Sequence, residues 1–98
     1  MLSTSTLMAQ THSLSGKIIN NETKRPISGA TVYLEEARLT ALSDTNGYYT
    51  FSHLPASAYT LVVFSVGTQT IKQKISLNVG ENTLNFNLEA LSGSLSDR

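Results

Sequence analysis

Two histidines, one adjacent carboxylate pair, an Asp-x-Asn-Gly turn and four tyrosines are the groups in this 98-residue chain whose chemistry could build a site. Nucleophilic hydrolysis needs a serine placed for attack, a histidine in reach and an acid to orient it. Serines are abundant, but none sits in a G-x-S-x-G elbow. His12 lies in the N-terminal stretch and His53 precedes Leu54-Pro55, so each reads as a solvent-exposed histidine. Their spacing is not that of a zinc pair. Glu35 and Glu36 are neighbours on a predicted strand. Such neighbours face opposite sides and cannot converge on one substrate, so they read as solvated edge charge. Asp44-x-Asn46-Gly47 shares its first oxygens with a calcium loop, but Tyr48 to Phe51 runs straight into a strand. A calcium loop needs further oxygen ligands at that point. The stretch therefore reads as a turn.

Tyr33 and Tyr48 could stack on a sugar, with cross-strand packing as the alternative. Asn21-Glu22-Thr23 matches the N-glycosylation sequon. Neither a P-loop nor a G-x-G-x-x-G nucleotide cradle is present. No catalytic, cofactor-binding or metal-ligating residue is assigned on these grounds, no cofactor is expected, and an enzyme is disfavoured.

The elements that position these groups are strands. Asp44 to Gly47 supplies turn chemistry, because Asp and Asn bond nearby backbone and Gly accepts positive φ. Tyr49 and Phe51 then share one face of a strand. Leu54-Pro55 marks a corner, since Pro has no N–H to donate. Tyr59, Leu61 and Val63 restart the alternation.

Seven strand candidates emerge in chain order: 14–20, 30–35, 38–43, 48–52, 58–66, 70–79 and 83–89. On the first, Leu14, Gly16 and Ile18 share a side. On the second, Ala30, Val32 and Leu34 oppose Thr31, Tyr33 and Glu35. On the sixth, Ile71, Ile75, Leu77 and Val79 share a face that Gln73 interrupts. On the seventh, Leu84, Phe86 and Leu88 oppose Asn85, Asn87 and Glu89. The expected core is Tyr49, Phe51, Tyr59, Leu61, Val63, Ile75, Leu84 and Phe86. Short strands at this spacing predict an all-β sandwich or barrel, and no stretch carries a helical period of useful length.

Length allows one domain with a modest core. Charged residues are only 14%, with Ser, Thr and Asn in their place, as suits the wet faces of strands. Seven basic and seven acidic residues give a formal net charge of zero. Nucleic acid is not an expected partner, because that needs a basic footprint. Cysteine is absent, which excludes disulfides and thiolate zinc sites. No run approaches the roughly 18 apolar residues of a membrane helix, so no membrane insertion is expected.

Residues 1–12 read as a disordered leader or signal-peptide remnant, with Leu7-Met8-Ala9-Gln10 like the tail of a secretory signal. Residues 13–89 form the sandwich, and the Ser-rich residues 90–98 read as a linker.

Two runs carry a resemblance. SGKIINNETKRPISGATVYLE and LSDTNGYYTFSHLPASAYTLVVFSVG are similar to the carboxypeptidase-regulatory-like domain. The matching positions include Gly16, Pro26, Gly29-Ala30, Val32, the Ser43-Asp44-x-x-Gly47 turn, Tyr49, Phe51, Leu54-Pro55, Tyr59 and Leu61. The likeness spans Leu14 to Leu88. Ser57 departs from a common Gly, and Thr68 from a common aromatic.

The resemblance implies a seven-stranded Greek-key β-sandwich of the transthyretin (prealbumin) kind. It also implies a setting: the periplasmic N-terminus of TonB-dependent outer-membrane receptors, SusC-like importers among them. In that setting the domain is a non-catalytic accessory acting in protein interaction or regulation of uptake. Its partners are the receptor's own plug and barrel, with periplasmic proteins through a sheet edge. The alternative is an extracellular surface module, as an adhesin stalk repeat or glycan-binding appendage.

Overall fold

Apolar side chains alternating along two sheets meet in a single core between them. The computed structural model describes residues 11–91. Its strands are β1 (His12–Asn20), β2 (Thr31–Leu34), β3 (Leu39–Leu42), β4 (Tyr48–Leu54), β5 (Ala58–Phe64), β6 (Ile71–Ser76), β7 (Gly80–Thr83) and β8 (Phe86–Leu88). In one sheet β1 is central, antiparallel to β4 on one side and parallel to β7 and then β8 on the other. The second sheet has the order β3-β2-β5-β6, all antiparallel. The chain therefore changes sheet between β1 and β2, β3 and β4, β4 and β5, and β6 and β7.

The core follows the predicted alternation. Leu14 and Ile18 of β1, Val32 and Leu34 of β2, and Leu61 and Val63 of β5 are fully buried. Ala30, Tyr49, Phe51, Leu54, Tyr59, Ile75, Leu77, Phe86 and Leu88 complete it. Tyr49 packs edge-on to Phe51 with ring centroids 6.3 Å apart. Such a pair stabilises by about 1 kcal/mol beyond the area it buries. After Leu54 the corner at Pro55 is held by Tyr59, whose hydroxyl accepts the Ala56 N–H at 3.0 Å.

Three sequence expectations are corrected. Of the seventh expected strand, 83–89, only Phe86–Leu88 is the body of a strand, and a further strand, Gly80–Thr83, precedes it where a turn was expected, so the sandwich has eight strands where the resemblance implied seven. At Leu84 the chain bends inward: the Leu84 N–H donates to Ser15 O at 2.9 Å, and the Asn85 side chain accepts the Lys17 N–H at 2.9 Å. Leu84 is accordingly half-buried instead of fully inside, and it packs against the core. Val79 is 59% exposed although it continues the apolar phase of β6. The Asn82 side chain binds both the N–H and the carbonyl of Asn78 at 2.9 Å, and this turn rolls Val79 out.

His12 is the third correction. It is not an exposed loop residue: it opens β1, is 7% exposed, and its Nδ1 lies 3.1 Å from Leu54 O. At the far end, Ala90 forms a bridge with Thr68, and the Leu91 N–H donates to Gly67 O at 2.9 Å. Thr68 also closes its own loop, its hydroxyl bonding Ser65 N and O at 3.0 Å. The leader readings on residues 1–10 and the linker reading on residues 92–98 lie outside the described residues.

Candidate interaction surface

The Asp44 turn is a backbone device. The Asp44 carboxylate accepts the N–H groups of Asn46 and Tyr48, each at 2.9 Å. The Gly47 N–H donates to Asp44 O at 2.9 Å, and Gly47 O accepts the Ile18 N–H at 2.8 Å. Gly47 has φ +83°, and a Cβ there would stand 2.6 Å from Ile18 O. Beside it, the buried Ser43 hydroxyl accepts the Ala30 N–H at 2.9 Å and donates to Ile27 O. Ser43 Oγ thus ties the segment leading into β2, and Asp44 Oδ1 the start of β4, to the turn. The turn reading of Asp44 and Asn46 therefore has a full structural account.

Tyr33 and Tyr48 do not form a platform. Tyr33 stands on the outer face of the second sheet, opposite Thr40 and Val62. Tyr48 belongs to β4 of the first sheet, where Lys17 Nζ lies 5.4 Å from its ring centroid. Two rings on different sheets cannot sandwich or line up along one sugar chain.

His12 and His53 do approach one region. They border a shallow depression of about 250 Å³ with Ser13, Ser52 and Glu81. A β-bulge makes it. His12 pairs with Leu54 and Leu14 with Phe51, so one residue of β1 opposes two of β4. His53 takes φ +59° to complete the bulge and is exposed. Among the described residues, no group of three or more acidic, histidine or cysteine side chains could hold a metal ion.

Glu35 and Glu36 lie in the turn after β2 and not on a strand as expected, their carboxylates take different partners, and only Glu35 is ordinary surface charge. It lies 3.3 Å from Lys72 Nζ. The Glu36 carboxylate accepts the Thr60 N–H at 2.6 Å and the Thr60 hydroxyl at 2.8 Å. The Thr60 backbone N–H, followed by its hydroxyl, holds the Glu36 carboxyl below its usual pKa. Sequence reading missed this link, because nothing local ties a turn residue to a strand 24 positions on. The sequon at Asn21 falls in the β1–β2 loop, where the preceding Asn20 side chain accepts the Glu22 and Thr23 N–H groups.

The remaining surface feature is apolar. Cross-strand register places Leu42, Thr31 and Phe64 in one row on the outer face of the second sheet. Leu42 is 63% exposed and Phe64 40%. Thr40, Tyr33, Val62 and Lys72 form the next row. An exposed apolar row rimmed by polar groups suits protein contact.

Two packed sheets, a turn spent on backbone and carboxylates engaged by separate partners define a β-sandwich module. The chain matches the CarboxypepD_reg-like domain over residues 14–97 and belongs to that family. No curated protein matches it in sequence. Among solved structures it is similar to a chain of a type II cohesin–X-dockerin complex from Acetivibrio cellulolyticus, with TM-score 0.65 and 23% identity, covering 76% of this chain and 52% of that one. It is also similar to catechol 1,2-dioxygenase from Pseudomonas arvilla, with TM-score 0.67 and 12% identity over 95% and 57%. The minor pilin of Streptococcus agalactiae gives 0.59 and 15% over 84% and 44%. The chain thus spans about half the length of these solved chains, and at such identities the likeness is one of fold.

Proposed function

We propose that this domain is a non-catalytic accessory module on the periplasmic side of a TonB-dependent outer-membrane receptor. In this reading it acts by contacting protein and does not hold the imported nutrient. The observation that carries it is membership of the CarboxypepD_reg-like family across residues 14–97. Its partners would be the receptor's plug and barrel and periplasmic proteins reached through a sheet edge. The competing reading is a surface-exposed stalk or glycan-binding module.

Deleting residues 14–88 from the full receptor in its host tests this. The truncated receptor should reach the outer membrane and still bind substrate, with uptake or its regulation altered. The 98-residue chain alone should not bind that substrate. Tight substrate binding by the chain alone would overturn the proposal in favour of the glycan-binding reading.

A further inference from the structure

The register settles which backbone groups each open edge offers. In an antiparallel ladder, alternate residues turn N–H and C=O toward the partner strand and away from it. The Leu77 N–H donates to Ser57 O at 2.7 Å. In phase with Leu77, residues Ile71, Gln73 and Ile75 turn toward β5. Lys72, Lys74 and Ser76 therefore turn their backbone groups outward. The Thr60 groups confirm the phase: paired with Lys74, Thr60 faces β2, where its carbonyl accepts the Glu35 N–H at 3.0 Å.

The other edges are shorter or blunted. On β4 the outward residues are Tyr48, Thr50 and Ser52. Asp44 occupies both backbone groups of Tyr48, and the bulge at His53 ends the run. β3 and β7 have four residues each. β6 has six, with no Pro, no bulge and a register unbroken against β5. Lys72, Gln73 and Lys74 are exposed along it.

We propose that β6 is the docking edge, and that it accepts an extended strand alternating acidic and apolar side chains. This rests on the accessory-module reading and names the partner's chemistry. Charge complementarity selects the occupant. Lys72 and Lys74 point to the outer face, so an added strand carrying Glu or Asp in that phase meets them as cross-strand pairs. Glu35 already flanks Lys72 from the opposite side, which shows how a carboxylate sits there. The strand's other side chains face inward beside half-buried Ile71, extending the apolar layer at an edge where Gln73 leaves it open. The same lysines set two copies of β6 against each other with like charges, so the edge rejects self-pairing while admitting an acidic strand.

The test is a titration of the ¹⁵N-labelled 98-residue chain with two capped hexapeptides, one alternating Glu and Val and one alternating Lys and Val. The Glu peptide should shift the amides of Lys72, Lys74 and Ser76 most. It should bind roughly tenfold tighter than the Lys peptide, a gap that narrows as salt rises. The double variant K72E/K74E should reverse the preference while keeping a folded amide spectrum, although loss of the Lys72–Glu35 pair lowers its melting temperature. Equal affinity for both peptides, largest shifts on Thr40 or Thr50, or no binding at millimolar peptide would each overturn the proposal. The receptor-deletion experiment is independent of this titration, so failure of one is distinguishable from failure of the other.

Discussion

The Tyr49 hydroxyl donates to the carbonyl of Leu84 at 2.7 Å, across the face of Gly16. A Cβ on Gly16 would lie 1.7 Å from that carbonyl oxygen and 2.9 Å from the Tyr49 ring. The three residues form one joint. Gly16 leaves room for the chain to bend between β7 and β8, and Tyr49 satisfies the carbonyl that the bend turns inward. Burial pushes the Tyr49 phenol well above its ordinary pKa, favouring the protonated form that donates.

Tyr49→Phe should therefore destabilise the chain by about 1–3 kcal/mol, through a carbonyl left without its donor. Gly16→Ala should cost more, because backbone and not a flexible side chain stands in the way. Urea midpoints at constant slope measure both. Equal effects of the two substitutions would contradict the joint.

At the Asp44 turn, Gly47→Val should destabilise by more than about 1 kcal/mol, since a β-branched residue is strained at positive φ and its Cβ would also press on Ile18 O. Asp44→Ala should add little once Gly47 is replaced, because both changes dissolve the same turn. Additive losses in the double variant would show that the two act separately.

What the sequence made legible was periodicity. Tyr49, Phe51, Tyr59, Leu61, Val63, Ile75 and Phe86 all face inward, because side chains on a strand have no other way to alternate. What it hid were departures from period two. The break between β7 and β8 at Leu84 had one visible signal: Gly16, in apolar phase between Leu14 and Ile18, marks a close backbone approach. Burial of His12 and the Glu36–Thr60 link had none, since both join residues far apart in the chain.

Acid should weaken the fold partly through Glu36. Its folded pKa is lowered by the Thr60 N–H, so the stability it contributes is complete above the ordinary glutamate pKa. That contribution is lost as pH falls through the lowered folded value. Glu36→Gln should therefore reduce stability at neutral pH and flatten the decline on the acid side. Urea midpoints at neutral pH and near pH 3 check this, and an unchanged difference between them in the variant would contradict it.

Calcium and chelators should leave the melting temperature unmoved, because Asp44 Oδ1 is engaged by the Asn46 and Tyr48 N–H groups and, among the described residues, no third acidic or histidine side chain joins it. A ligand that binds only the native state must raise stability. A calcium-dependent rise of several degrees would make the turn a metal site.

The accessory-module account is tested most directly by which side of the outer membrane the domain occupies. In intact host cells expressing the full protein, added protease should leave the domain uncut, as detected by an antibody to residues 14–91. After the outer membrane is permeabilised, the same protease should remove it. Cleavage of the domain in intact cells would contradict the account and place the module on the cell surface.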